Sequence, residues 1–262
     1  MNIQLTGKHA IVCGSTQGIG KAIALEFAGL GASVTLVARN ESALQSVLQE
    51  LSAGDSQQHG FVQADFTKPD ALRQKIAAYL ADHSPVHILV NNTGGPAGGP
   101  LLDADAAAFT GAFSQHLVCN QLLAQAVVPG MKSAGYGRII NIISTSVKQP
   151  IPGLGVSNTI RGAVANWAKT LAGELAPFGI TVNNILPGAT KTQRLFSLFD
   201  ARAAQQGKTA REIAENWRQA IPAKRFAEPA ELAYAAAFLA SPAAGYINGI
   251  NLPVDGGRTN CL

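Results

Sequence analysis

The chain has 262 residues, 47% of them hydrophobic and 14% charged, with a formal net charge of +4. That length buries one large core, and no Pro/Ser-rich linker or charge block divides it, so residues 1–262 read as one domain. A charge this mild and scattered argues against nucleic acid as a partner, the apolar runs fall short of the roughly 20 residues of a membrane span, and Met1–Gly7 lacks the pattern of a signal peptide.

Short apolar runs then alternate with longer periodic ones. His9–Cys13 predicts a first strand that runs into Gly14-Ser15-Thr16-Gln17-Gly18-Ile19-Gly20. A helix follows over Gly18–Leu30, with Ile19, Ile23, Phe27 and Leu30 on one stripe. Ser33–Val37 is the second strand, Glu41–Leu51 a helix and Gly60–Gln63 the third strand. Pro69 opens the next helix, and Val86–Val90 is the fourth strand. A long helix is expected from about Ala104 to Met131, then a strand over Arg138–Ile143 and a helix over Gly153–Ala176. Ile180–Ile185 is the sixth strand, about Thr192–Ala220 a polar helical segment, Pro229–Leu239 a helix and Ile250–Val254 the last strand.

Strands without polar alternation, each followed by a helix, predict an α/β fold: a Rossmann-type, doubly wound parallel sheet with helices on both faces. Ligands of such sheets bind at the carboxyl ends of the strands. The glycine loop lies at the first of those ends. Gly14 permits a tight turn, Gly18 lets backbone approach a pyrophosphate, and Gly20 lets helix and strand pack closely. The helix that starts there aims free N–H groups and its positive end at phosphates. The second strand ends Val37-Ala38-Arg39-Asn40, with an arginine and no acid, which suits the 2′-phosphate of NADP(H) better than the free ribose of NAD(H). Cys13, Cys119 and Cys261 have neither metal-ligand spacing nor an even count, so no metal site is expected and the thiols read as those of a reduced, cytoplasmic protein.

The G-x-x-x-G-x-G loop, Asn91-Asn92-Thr93-Gly94, Pro187-Gly188 and the closing Val254-Asp255-Gly256-Gly257 together resemble the short-chain dehydrogenase/reductase family, from about Leu5 to Gly257. The resemblance implies a cofactor site built from Gly14, Ser15, Thr16, Gln17, Gly18, Ile19, Gly20 and Arg39. It adds Asp65 and Phe66 at the adenine, and Asn91 and Gly94 along the ribose. It places Pro187, Gly188, Thr190 and Thr192 at the nicotinamide carboxamide. It also implies a homodimer or homotetramer through the two long helices.

The family protonates its substrate with Tyr-x-x-x-Lys, beside a serine and an asparagine. Ser144 matches the serine, and thirteen residues on the tyrosine position holds Ser157, with Arg161 at the lysine position. The pattern is that of an atypical, β-ketoacyl-reductase-like branch. Ser157 is shorter and far less acidic than a phenol, and arginine stays charged and shuttles no proton. Tyr136 and Tyr246 precede strands, at the wrong edge of the sheet, and Tyr79 and Tyr234 sit on covering helices. At the asparagine position stands His116, whose imidazole is expected either to supply the missing proton or to be a core histidine. The catalytic set implied is therefore Ser144, His116, Ser157 and Arg161, with Arg161 also a candidate for the ribose.

The segment Lys191–Arg225 carries eight basic residues against three acidic ones, a net of +5. Leu195, Phe196, Leu198, Phe199, Trp217 and Ile221 interleave with them. It reads as a small helical substrate lid at about 191–226, for a small molecule or an acyl thioester, or as a helix pair with a solvated basic face. Three readings follow: an NADP(H)-dependent reductase of carbonyl compounds with an altered proton supply, a non-catalytic NADP(H)-binding sensor or partner subunit, and a non-redox enzyme. In this family fold alone does not choose among them.

Overall fold

The computed structural model describes every residue except Asp55, Ser84 and Leu262. Seven strands form one parallel sheet in the order β3-β2-β1-β4-β5-β6-β7. They are β1 His9–Cys13, β2 Ser33–Ala38, β3 Gly60–Gln63, β4 Ile88–Asn91, β5 Gly137–Ile142, β6 Ile180–Pro187 and β7 Asn251–Val254. Nine α-helices among the described residues connect them: α1 Gly18–Gly29, α2 Glu41–Glu50, α3 Pro69–Asp82, α4 Ala106–Phe113, α5 Cys119–Ala134, α6 Gly155–Leu175, α7 Gln193–Gln206, α8 Ala210–Gln219 and α9 Pro229–Ala240.

Strand side chains alternate between two cores. Ala10, Val12, Ile140 and Ile142 pack under α1, α2 and α9, through residues such as Phe27, Leu44 and Leu232. Ile11, Cys13 and Ile139 pack on the other face under α3, α5 and α6, against Ile76, Leu123 and Ala168. Both faces of the sheet are thus dry, which explains why the strands read as unbroken apolar runs. Among the polar residues that the strands do carry, four asparagines form a row. Asn91, Asn141, Asn184 and Asn251 stand opposite one another on β4, β5, β6 and β7. Along the row three amide Nδ2 groups, of Asn91, Asn141 and Asn184, each donate to the Oδ1 of the next at 2.8 Å, and Asn91 Oδ1 at the end is left buried without a partner among the described residues.

The element types agree with the sequence, and β1 and β3 have the expected bounds. Two segments differ. The long helix is continuous but contains one π-helical turn, Ser114–Val118, between α4 and α5. The polar helical segment is two helices. Gly207, at φ +61°, ends α7, and Thr209 opens α8 with a capping box to Glu212. Phe199 of α7 meets Trp217 of α8 edge to face, with ring centroids 5.5 Å apart.

His9, at the amino edge, is mostly buried beside Thr35 and Tyr79. Burial first, then the neighbouring His87 and His83, lower its pKa to about 4. The unfolded chain takes up a proton there near pH 6.5, which the folded protein refuses until about pH 4. The stability that His9 contributes is therefore complete above pH 6.5 and is lost as the pH falls toward 4. His9→Gln, which keeps a polar partner for Thr35, should recover on the order of 1–2 kcal/mol of the loss between pH 7.5 and 4.5. Denaturant melts of both proteins at the two pH values check it.

Candidate active site

The chain leaves β1 toward β2 on one side and returns to β4 on the other, so a crevice opens at the carboxyl edge between them. A cleft of about 640 Å³ occupies it, and the ends of β1 through β6 all contribute to its wall.

The glycine loop folds tightly against the end of β4. Asn92 Nδ2 donates to Cys13 O at 3.2 Å and Gly14 O at 3.3 Å. Gly14 has φ +59°, and a Cβ there would lie 2.5 Å from Asn92 O. A Cβ on Gly20 would lie 2.2 Å from Gly14 O. Both positions therefore exclude side chains. The loop brings Thr16, Gln17, Gly18 and Ile19 to the wall. Helix α1 begins there with no side-chain cap and no acid in its first turn, so its orphan N–H groups remain available to an anion. Arg39 lines the far end of the wall, and its guanidinium holds no carboxylate among the described residues. Gly94 lines the middle, where a Cβ would meet nothing within 4 Å, leaving room for close approach of a ligand to backbone. These features fit a phosphate-bearing dinucleotide.

Of the other residues expected at the cofactor, Ser15, Asp65 and Asn91 do not line the cleft, and the rest do. Ser15 is fully buried, and its Oγ accepts the Val37 N–H at 3.1 Å. Asp65 accepts the Thr67 N–H at 2.9 Å, the main reason its carboxyl is held below the usual range, while Phe66 beside it reaches the cleft. The Asn91 side chain belongs to the asparagine row. Pro187, Gly188, Thr190 and Thr192 all line the cleft, although the Thr192 hydroxyl also caps α7 at Leu195 N.

At the other end, Ser144 follows β5, and its Oγ accepts the Ser146 N–H at 3.1 Å. Ser157 and Arg161 lie one turn apart on α6, and both line the cleft. Arg161 is 8% exposed and donates from Nη1 to Ile142 O at 3.1 Å. Burial, then the charge of Arg194, pulls its pKa down to about 10, so it remains a cation at neutral pH.

The expectation that His116 supplies a proton does not fit this geometry. It stands in the π-helical turn, is 2% exposed and does not line the cleft. Its Nδ1 bonds Thr93 Oγ1 at 2.5 Å, and its Nε2 has no partner among the described residues. Burial, then the Arg161 charge, lowers its pKa to about 3, so the ring is neutral across the physiological range. What His116 does is hold Thr93, which faces the cleft. Thr93, Gln115, Arg194, Trp217 and Arg258 line the site as well, and none of them was expected among the catalytic or cofactor residues. No tyrosine, lysine, aspartate or glutamate lines it among the described residues, and no group of residues there would hold a metal ion.

Fold and cleft define a Rossmann-type class with a dinucleotide-sized crevice at the switch point. A family model described as enoyl-(acyl carrier protein) reductase matches residues 14–259. The chain belongs to the short-chain dehydrogenase/reductase family. It is 33% identical over 257 residues to an uncharacterized oxidoreductase of Mycobacterium tuberculosis, covering 98% of this chain and 94% of that one. It is 34% identical over 255 residues to a 3-oxoacyl-(acyl-carrier-protein) reductase of Vibrio cholerae, covering 97% and 98%. Among solved structures, L-sorbose reductase from Gluconobacter frateurii, complexed with NADPH and L-sorbose, superposes with a TM-score of 0.93 at 31% identity over the whole of both chains.

Gly20→Ala should cost about 1–3 kcal/mol of stability, because its methyl group collides with backbone of the loop. Gly29→Ala in the same helix, where nothing lies within 4 Å, should be neutral or stabilising by up to about 1 kcal/mol. Paired denaturant melts check the contrast.

Proposed function

We propose that this protein is an NADP(H)-dependent oxidoreductase that moves a hydride between the nicotinamide and a carbonyl compound or the matching alcohol. The observation that carries it is the acid-free wall formed by the glycine loop, the uncapped start of α1 and Arg39. The L-sorbose reductase solved with NADPH supports it through likeness over its full length. Here Gly14 to Gly20 receive the pyrophosphate, and Arg39 forks onto the 2′-phosphate. Backbone at Asp65 and Phe66 meets adenine, and backbone from Asn91 to Gly94 runs along a ribose. Pro187, Gly188, Thr190 and Thr192 hold the carboxamide. Residues 191–226 then close over the substrate as a lid.

The substrate end differs from the usual Tyr-x-x-x-Lys pair. When bound, the cofactor supplies or accepts the hydride. In the reductive direction the substrate oxygen becomes an alkoxide that needs electrostatic stabilisation and a proton. Arg161 gives the first, as a buried cation at the cleft wall. Ser144 orients the oxygen, and the Ser157 hydroxyl passes a proton from water, because it is too weak an acid to be the source. A 3-oxoacyl thioester is one substrate of this kind. The same lack of a phenol favours a second reading, a non-catalytic NADP(H)-binding sensor or partner subunit. We also propose a homodimer or homotetramer through α4–α5 and α6, where Phe113 of α4 is 43% exposed. A monomer by light scattering at micromolar concentration would contradict that assembly.

NADPH should bind more tightly than NADH, and Arg39→Ala should weaken NADPH by about 1.5–3 kcal/mol while leaving NADH unchanged. Equal affinities sink the cofactor assignment. NADPH consumption with a panel of ketones, oxo acids and oxoacyl thioesters then separates the two readings. Consumption supports the enzyme, and tight binding without turnover supports the sensor. In the active enzyme, turnover should show no rise as the pH falls from 8 to 6, since His116 titrates at about 3. A limb near pH 6.5 that His116→Asn removes would reinstate the imidazole as proton donor.

A further inference from the structure

The cleft is lined by four arginines and by no acid among the described residues. Arg39 lies at the cofactor end. The other three, Arg161, Arg194 and Arg258, come from α6, α7 and the segment after β7 and line the rest of it, and the first two meet at Gly95. A Cβ placed on Gly95 would lie 3.7 Å from Arg194 Nη2 and 3.8 Å from Arg161 Nη2, so two guanidinium groups from different helices aim at one point. Like charges at such range repel, and Arg161 is almost fully buried. Its only hydrogen bond among the described residues goes to the neutral carbonyl of Ile142.

Among the described residues no carboxylate forms an ion pair with these arginines, although the charge of Asp255 acts on Arg258. Arg194 donates to Pro96 O at 2.7 Å, another neutral acceptor. Arg258 stacks on Trp217, its Cζ 4.6 Å from the ring centroid, and Arg202 lies on the same ring at 4.8 Å. Asp255, the acid nearest Arg258 in sequence, turns its carboxylate onto the N–H groups of Gly257 and Thr259. His116 beside Arg161 is neutral. Elsewhere in the segment 191–226 three cations hold carboxylates: Lys191 with Glu228, Arg218 with Glu215 and Arg225 with Glu231. The arginines left without a carboxylate include those turned to the cleft. Depression of the Arg161 pKa by burial and by Arg194 points the same way, toward a site that lacks an anion.

From this convergence we infer that the substrate carries its own carboxylate, held above Gly95 by Arg161 and Arg194 with Arg258 flanking, and is thus an oxo acid or hydroxy acid. The guanidinium fork matches a carboxylate in plane, two N–H groups to two oxygens. Ile151, Leu154, Leu198 and the Trp217 ring supply an apolar side for the carbon chain. A thioester on a carrier has no charge at this depth, which disfavours that substrate relative to a free acid. The inference deepens the oxidoreductase proposal and rests on its assignment of this end of the cleft to the substrate.

Isothermal titration with 2-, 3-, 4- and 5-oxo acids of six to ten carbons and their methyl esters, each with and without NADPH, tests it. At least one acid should bind at least about ten-fold more tightly than its ester. Arg194→Gln should bring that ratio to within about three-fold, and Arg194→Lys, which keeps the charge and loses the fork, should fall between. NADPH affinity of Arg194→Gln, read by nicotinamide fluorescence, should match the parent. Acids and esters that bind alike, no binding of any acid, or a ratio unmoved in Arg194→Gln overturns the inference. A parent that selects acids yet ignores NADPH upholds it and overturns the oxidoreductase proposal instead.

Discussion

The carboxyl edge of this sheet depends on how closely its first turn approaches the end of β4. Asn92 holds Cys13 and Gly14 by their carbonyls, and the gap left is too small for a Cβ at Gly14 or Gly20. That approach fixes where α1 starts, and so where its free N–H groups point. It also makes the switch point between β1 and β4 a cleft rather than a seam, with six strand ends on its wall. A looser turn would fill the crevice with loop.

Electrostatics divides the sheet in two. Across its carboxyl half, four asparagines in register link β4 to β7 by neutral hydrogen bonds. At the cleft, charge without compensation prevails. Four arginines and the α1 terminus face the same space, and burial keeps the one nearby histidine neutral. A buried, unpaired cation is costly in a folded protein, so its persistence in a cleft is a statement about what enters. Phosphates answer the charge at one end. At the other, a charged substrate does so, and the oxygen that becomes an alkoxide shares the same field.

Much of this was legible in the residues alone. The glycine loop stands between a strand and a helix as its motif requires, and β1 is bounded by Lys8 and Gly14. The π-helical turn at Ser114–Val118 was not legible, because five residues shift an apolar stripe too little to break a helical period. The break at Gly207 falls in a polar run, Gln205-Gln206-Gly207-Lys208-Thr209, where no apolar period marks the boundary. His116 matched a catalytic position by count, but whether an imidazole there faces ligand or core depends on tertiary burial, which spacing does not carry. The asparagine row needs strand register, and Arg194, Trp217 and Arg258 need the folded path of the chain, since up to 97 residues separate them from Arg161.

The central claim is hydride transfer in a cleft that lacks a phenol. It is tested most directly by incubating the protein with NADPH deuterated at nicotinamide C4 and the oxo acid that binds best, then analysing the product by mass spectrometry and NMR. Deuterium on the carbinol carbon of a hydroxy acid, formed in step with NADPH loss, is the predicted result. NADPH that stays bound and unconsumed, or a product without deuterium at that carbon, would contradict it.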